Sequence, residues 1–238
     1  MPPSDAVERV LVITAHPDDV DFGVAGTVAT WTDQGIDVAY CVVTDGDAGG
    51  FDPTIPRSEI PGIRRAEQEA AAKIVGVEEV FFLGYPDGRL YPTLDLRRDL
   101  SRVIRRYRPQ RVVCQSAERL LDRIYASHPD HLAAGEAALC AVYPDARNPF
   151  AFPELVAEGL EAHSVPEVWI MAGPRQDVFV DITDTIDRKI NALLQHVSQH
   201  VDPASLRDRM YGWAKANASA AGWEEGRMAE GFQFVPTA

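Results

Sequence analysis

At 238 residues, with 46% hydrophobic and 25% charged residues, the chain has ordinary globular composition and enough length to bury a substantial core. A formal net charge of −13 repels phosphate backbones and anionic bilayers, which argues against nucleic acid or membrane as partners and for a small, neutral or weakly charged ligand. Three scattered cysteines, Cys41, Cys114 and Cys140, exclude a disulfide framework and a CxxC metal site. All three lie in apolar stretches, where cysteine is an ordinary core residue, and they suit a reducing cytoplasm. Residues 1–10 carry no basic region, and the apolar run that follows is too short for a signal peptide or a membrane span, so a soluble cytoplasmic protein is expected.

In chain order, an apolar run at residues 10–15 reads as a buried strand and leads directly into His16-Pro17-Asp18-Asp19. A helical pattern over residues 21–33 follows and is closed by Gly35. A second strand at 38–44 opens into a Gly-, Asp- and Pro-rich loop over residues 46–61. Ile63, Ala66, Ala70 and Ile74 form a stripe at helical spacing that stops at Gly76. A strand at 79–83 precedes a second stripe, Leu96, Leu100, Val103, Ile104 and Tyr107, stopped by Pro109. That segment also carries the few clustered basic residues, Arg97-Arg98 and Arg105-Arg106.

A fourth strand at 111–114 is followed by an irregular stretch at 119–127 and then by His128-Pro129-Asp130-His131, which opens a further helical pattern. After another irregular region at 145–153 come candidate strands at 167–171 and 178–182. The last helix shows Ile186, Ile190, Leu193 and Val197 on one face, with Thr183 or Asp184 placed to cap it. Strand and helix alternate with no repeat or linker-like break, which predicts one α/β domain over residues 1–238. Its sheet is expected to be mainly parallel, Rossmann-like and covered by helices on both faces. Loops at the carboxyl ends of its strands would form the site.

The two His–Asp clusters carry the chemistry. His16 and Asp19, three residues apart on a turn leaving a strand, can converge on one point, and His128 or His131 would supply a third ligand. Such a set leaves an open position for water, as catalytic zinc requires. Asp18 would stand beside that water as a base. Either cluster alone is equally compatible with turn and helix-capping roles; the pair at two strand-to-helix junctions favours a metal site. His163, His196 and His200 have no acidic partner at ligand spacing. No GxGxxG, GxxxxGK[ST] or GxSxG is present for dinucleotide, P-loop or serine-hydrolase chemistry.

Ala15-His16-Pro17-Asp18-Asp19, Gly26-Thr27, Thr44-Asp45-Gly46, Arg64 three before Glu67, and His128-Pro129-Asp130-His131 together resemble the LmbE/PIG-L family of zinc-dependent N-acetylglucosaminyl deacetylases. The likeness runs from about Val10 to the His196–Gln199 region. It implies His16, Asp19 and His131 as zinc ligands and Asp18 as general base. It also implies His128 as the residue that holds the oxyanion or protonates the leaving amine, with Asp130 as its partner. Arg64 and Asp87 are candidates for gripping sugar hydroxyls, against bland readings as a solvated helix residue and a turn aspartate. His196 and Gln199 are expected to pack or cap the late helix. Surrounding carboxylates are expected to raise the pKa of His128 and keep it protonated.

One departure is Asp21, where the family usually has Glu. The shorter carboxylate can still steady a metal ligand, or it lowers metal affinity, or it marks a subgroup with another substrate. The resemblance implies a small amino-sugar substrate and self-association into a homo-oligomer, although no seam in the sequence shows the latter. Iron, cobalt or manganese would also suit a His/Asp/His site. Two other readings stand beside the deacetylase: an amidase cleaving a thiol–sugar conjugate, and a catalytically idle metal- or sugar-binding protein on the same scaffold.

Overall fold

The structure is a computed structural model and describes residues 7–199 and 202–237, so His200 lies outside the described residues. The first half alternates strand and helix: β1 (Arg9–Thr14), α1 (Asp19–Gly23), α2 (Ala25–Asp33), β2 (Asp37–Thr44), α3 (Ile60–Ile74), β3 (Glu79–Tyr85), α4 (Leu94–Tyr107) and β4 (Arg111–Gln115). After a 3-10 segment at Leu121–Ser127 come α5 (Pro129–Cys140), α6 (Pro153–Ala157), β5 (Glu167–Met171), β6 (Val178–Asp181), α7 (Ile186–Leu193), α8 (Pro203–Ala220) and β7 (Ala229–Pro236).

Among the described residues the strands form one seven-stranded sheet in the order β3-β2-β1-β4-β5-β7-β6. The first five strands in sheet order pair in parallel, and β7 runs antiparallel to both β5 and β6. The expected mainly parallel α/β sheet is present, with a mixed edge that the strand pattern did not indicate. Alternation along the strands explains why both faces are covered. Leu11, Ile13, Ala39, Cys41, Val112 and Cys114 point to one face, where Leu96, Leu100 and Ile104 of α4 and Ala134, Ala137 and Ala138 of α5 meet them. Val10, Val12, Val38, Tyr40 and Val113 point to the other, against Val28 and Trp31 of α2 and Ala71 and Ala72 of α3. Cys41 and Cys114 are core residues as expected, whereas Cys140 is only partly buried.

Several boundaries differ from the sequence pattern for local reasons. The helix expected over residues 21–33 is broken at Val24 (φ −144°), so α1 begins within the His–Asp turn itself. The late helix ends at Leu193, short of Val197, and its cap position is Thr185 rather than Thr183 or Asp184. The Thr185 hydroxyl donates to Gly26 O at 2.8 Å, and that of Thr183 to Asp181 at 2.5 Å. Helix α8 and strand β7 were not foreseen. Glu230 on β7 accepts from Gly26 N and Thr27 N at 3.2 and 2.7 Å at the start of α2 and pairs with Lys189, tying the C-terminal elements to the first cluster. The arginines of α4 are engaged within the chain. Arg97 pairs with Asp145 at 2.8 Å, and Arg105 donates to the carbonyls of Asp145, Ala146, Asn148 and Ala151.

The chain leaves β1 toward β2 and β3 on one side and resumes at β4 and β5 on the other. The carboxyl ends of β1 and β4 therefore flank the crevice at which such sheets bind ligands. Helix α5 closes onto this point because Gly135 has no side chain: a Cβ there would lie 2.3 Å from Gln115 O, a backbone atom. Gly135→Ala is therefore expected to lower stability by about 1–3 kcal/mol in denaturant unfolding, since the helix must shift away from β4.

Candidate metal centre and active site

The first cluster stands on the turn between β1 and α1, and Asp19 braces it by accepting from His16 N at 2.7 Å. The second stands at the start of α5, where His128 is the cap residue, with Nδ1 accepting from Asp130 N at 3.2 Å, and Pro129 begins the helix. One helical turn places His131 opposite His16. His16 Nδ1 lies 3.3 Å from Asp19 Oδ2 and 3.3 Å from His131 Nε2, and His131 Nε2 lies 3.1 Å from Asp19 Oδ1. Donors bound at about 2.0–2.1 Å around a tetrahedral zinc stand about 3.3–3.4 Å apart, so the His16–His131 spacing suits such an ion, with one Asp19 oxygen beside each ring.

The remaining ring nitrogens are occupied in a way that directs their partners to the same point. His16 Nε2 faces Asp87 Oδ1 at 3.0 Å and Asp130 Oδ2 at 3.3 Å, and His131 Nδ1 faces Ala126 O at 3.3 Å. With a proton on each of these nitrogens, the neutral rings would turn the lone pairs of His16 Nδ1 and His131 Nε2 toward one point, as two imidazole ligands of a single cation do. Among the described residues, one donor atom from each residue lies within 4.8 Å of the others in two groupings, His16 with His128 and His131, and His16 with Asp87 and Asp130. The latter engages His16 by Nε2, with the Asp130 carboxylate also taking Gly88 N at 2.7 Å and Leu90 N at 3.2 Å and that of Asp87 taking Ala48 N at 3.3 Å. These carboxylates are built to orient His16.

The electrostatics match a site that gathers positive charge. Burial would lower the His16 pKa, but hydrogen bonds to Asp130, Asp19 and Asp87 hold it well above the usual value. His131 is likewise raised by Asp19 against the effect of burial. Asp19, which burial would raise, is pulled well below the ordinary carboxylate range by His131 and His16. Burial pushes Asp18 up to about 6, with Arg64 opposing and Asp19 reinforcing the shift. The expectation for His128 is corrected: burial and the neighbouring His16 and His131 lower its pKa, outweighing Asp130 and Asp87, so it is neutral at neutral pH. With Nδ1 accepting from Asp130 N, the neutral ring carries its proton on Nε2.

A cleft of about 640 Å³ opens at Asp18, Asp19 and His131 and runs past Phe22, Met171 and Gln176 to Trp213 and Arg209 on α8. Its far wall is aromatic: the Trp213 and Tyr125 rings are parallel within 8°, and Arg209 lies over Trp213 and Phe22. Arg64 and Asp87 both reach the site, but neither lines this cleft. The Arg64 guanidinium donates to Pro17 O at 2.5 Å, to Asp18 Oδ2 at 3.2 Å and to Gly46 O at 3.2 Å.

Sequence spacing missed several contributors. His196, read as lacking an acidic partner and as a packing or capping residue, lies fully buried with Nε2 2.8 Å from Asp21 Oδ2, a pairing across 175 residues. Gln68 joins Asp21 to the backbone of Asp18, and Gln115 Oε1 accepts from Ala15 N at 2.8 Å. The aromatic wall on α8 was also unforeseen. Neither the wall nor the His196–Asp21 pair left a signal at local spacing.

A family profile described as PIG-L, GlcNAc-PI de-N-acetylase, matches residues 11–142. The diacetylchitobiose deacetylase of Thermococcus kodakarensis is 34% identical over 235 residues, covering 98% of this chain and 85% of its own length. The probable N-acetyl-alpha-D-glucosaminyl L-malate deacetylase 2 of Bacillus cereus is 31% identical over 80% of this chain and 83% of its own. The solved N,N'-diacetylchitobiose deacetylase of Pyrococcus horikoshii shares the fold with a TM-score of 0.89 at 29% identity, covering 97% of this chain and 85% of its own. With the profile spanning more than half of the sequence and a relative matching along nearly all of it, this chain belongs to the PIG-L (LmbE) family.

Proposed function

We propose that this protein is a zinc-dependent hydrolase that removes the acetyl group from an N-acetylglucosamine-type sugar derivative. The observation that carries the reading is the convergence of His16 Nδ1, the Asp19 carboxylate and His131 Nε2 within 3.1–3.3 Å of one another, beside Asp18 at the mouth of the cleft. The relatives that act on diacetylchitobiose and on the glucosaminyl malate conjugate support the substrate class. His16, Asp19 and His131 would hold the ion. When bound, zinc supplies a polarised acetamide carbonyl and a water whose pKa is brought to about 7.

Asp18 would take a proton at its carboxylate from the attacking water as the water oxygen bonds to the carbonyl carbon. A carboxyl pushed up to about 6 suits this task, because a base works best when its pKa lies near the operating pH. His128, neutral with the proton on Nε2, donates a hydrogen bond to the oxygen that gains negative charge. The proton held by Asp18 then passes to the amide nitrogen as the C–N bond breaks, giving the free amine and acetate. Asp130 and Asp87 hold the His16 ring, and Arg64 holds the Asp18 carboxylate, so the two candidate sugar contacts act here by orienting the machinery. The sugar's remaining substituent would run along the cleft toward Tyr125 and Trp213, whose faces suit a pyranose ring. Nothing in this reading needs the membrane, and among the described residues no helix is long and apolar enough to cross one.

The deciding experiment is acetate release from a panel of N-acetylglucosamine derivatives by protein stripped with chelator and reloaded with zinc. Zinc-restored release is expected; no release from any member despite one bound metal per chain would overturn the reading. Asp18 works as carboxylate, so kcat/KM should be low below its pKa and climb through a limb near pH 6, read from a pH–rate profile. Asp18→Asn should lower turnover by about 10²–10⁴-fold with metal content unchanged, whereas His16→Ala should lose the metal itself. His128→Ala should lower turnover by about 10²–10³-fold. Trp213→Ala should raise KM for a disaccharide substrate more than for a monosaccharide, measured by steady-state kinetics on the two.

A further inference from the structure

Asp18 occupies the left-handed backbone region, with φ 86°, a conformation that a residue with a Cβ holds only when its surroundings enforce it. Its backbone N–H donates to Gln68 Oε1 at 2.8 Å. A glutamine amide can present either its oxygen or its nitrogen, and here the choice is made at the other end, where Gln68 Nε2 donates to Asp21 Oδ2 at 2.9 Å. Flipping the amide would set donor against donor at Asp18 and acceptor against acceptor at Asp21. The same Asp21 oxygen lies 2.8 Å from His196 Nε2.

Gln68, Asp21 and His196 are all 0% exposed, and none of them lines the cleft. The segment that delivers His196 is latched to α3 at the same level. Ser198 N and Ser198 Oγ each bond the Glu67 carboxylate at 2.7 Å, one residue before Gln68. Three polar side chains are thus buried in a line that ends on the backbone of the residue read above as the base.

We propose that His196, Asp21 and Gln68 form a positioning relay that holds Asp18 in its left-handed conformation and so aims its carboxylate into the cleft. This rests on the reading of Asp18 as general base. His196 orients Asp21, Asp21 orients the Gln68 amide, and the amide oxygen fixes the Asp18 peptide. Arg64, bound to Pro17 O and to the Asp18 carboxylate, secures the other side of the same turn.

The test compares Gln68→Met, which keeps length but makes neither hydrogen bond, with Asp21→Asn, His196→Leu and His196→Gln. Steady-state kinetics, zinc content and a crystal structure of Gln68→Met are the readouts. The expected result is a fall in kcat of about 10–100-fold in Gln68→Met and Asp21→Asn, with KM and zinc content unchanged. His196→Gln, whose amide still donates to Asp21, should keep more of kcat than His196→Leu. In the Gln68→Met crystal structure Asp18 should leave the left-handed region. Unchanged kcat in an active background, or a loss confined to KM or to zinc content, would overturn the relay. If the zinc-loaded parent protein deacetylates nothing, the proposed function fails instead. The crystal structure then decides the relay alone, which is overturned if Asp18 keeps its backbone conformation and carboxylate position.

Discussion

Two imidazole nitrogens that face one another, with a carboxylate against both, set the terms for the rest of the molecule. His16 Nδ1 and His131 Nε2 stand 3.3 Å apart, so a shared proton or a shared cation must reconcile them. That geometry survives only because each ring is held from behind, His16 by Asp87 and Asp130 and His131 by the carbonyl of Ala126. The carboxylates that hold His16 are themselves held by the backbone of residues 48, 88 and 90. Loops after β2 and β3 therefore reach the centre through their N–H groups and the Asp87 carboxylate, without contributing a donor to the convergence point.

The fold supplies this arrangement through topology. Where the strand order reverses between β1 and β4, two chain segments leave the sheet side by side, and α5 comes close enough for its first turn to face the β1 turn. Gly135 is what allows that approach, since any side chain there would strike the backbone at the end of β4. The same packing puts Asp18 between an anionic neighbour, Asp19, and a cationic one, Arg64, in a buried setting that lifts its pKa. Neighbouring aspartates on one turn thus experience opposite shifts, because Asp19 is hydrogen-bonded to two imidazoles whereas Asp18 feels His16 and His196 only at longer range.

His128 shows how a count of carboxylates misleads about charge. Counting the carboxylates of the two clusters, Asp18, Asp19, Asp21 and Asp130, predicts a raised pKa. In space its ring centroid lies 4.9 Å from that of His16 and 5.4 Å from that of His131, both raised, and burial adds to their effect. The ring is accordingly neutral, and its capping bond to Asp130 N decides which nitrogen carries the proton. A donor at neutral pH results either way, but by tautomer rather than by charge.

The sequence by itself determined the elements with strong local periodicity and the two His–Asp clusters that stand at their ends. The six strands foreseen were right in kind because apolar runs bounded by turn residues report burial directly. The two His–Asp clusters were visible because ligands three residues apart on a turn must share a face. Edge strand β7 and helix α8 carried no comparable signal: β7 mixes Glu230 and Gln233 among apolar residues, and α8 has a weak apolar stripe. Tertiary structure alone decided the pairing of Asp21 with His196, the engagement of Arg64 with Asp18, and the aromatic wall of the cleft. These depend on distances between residues up to 175 positions apart, which sheet order sets and local spacing does not encode.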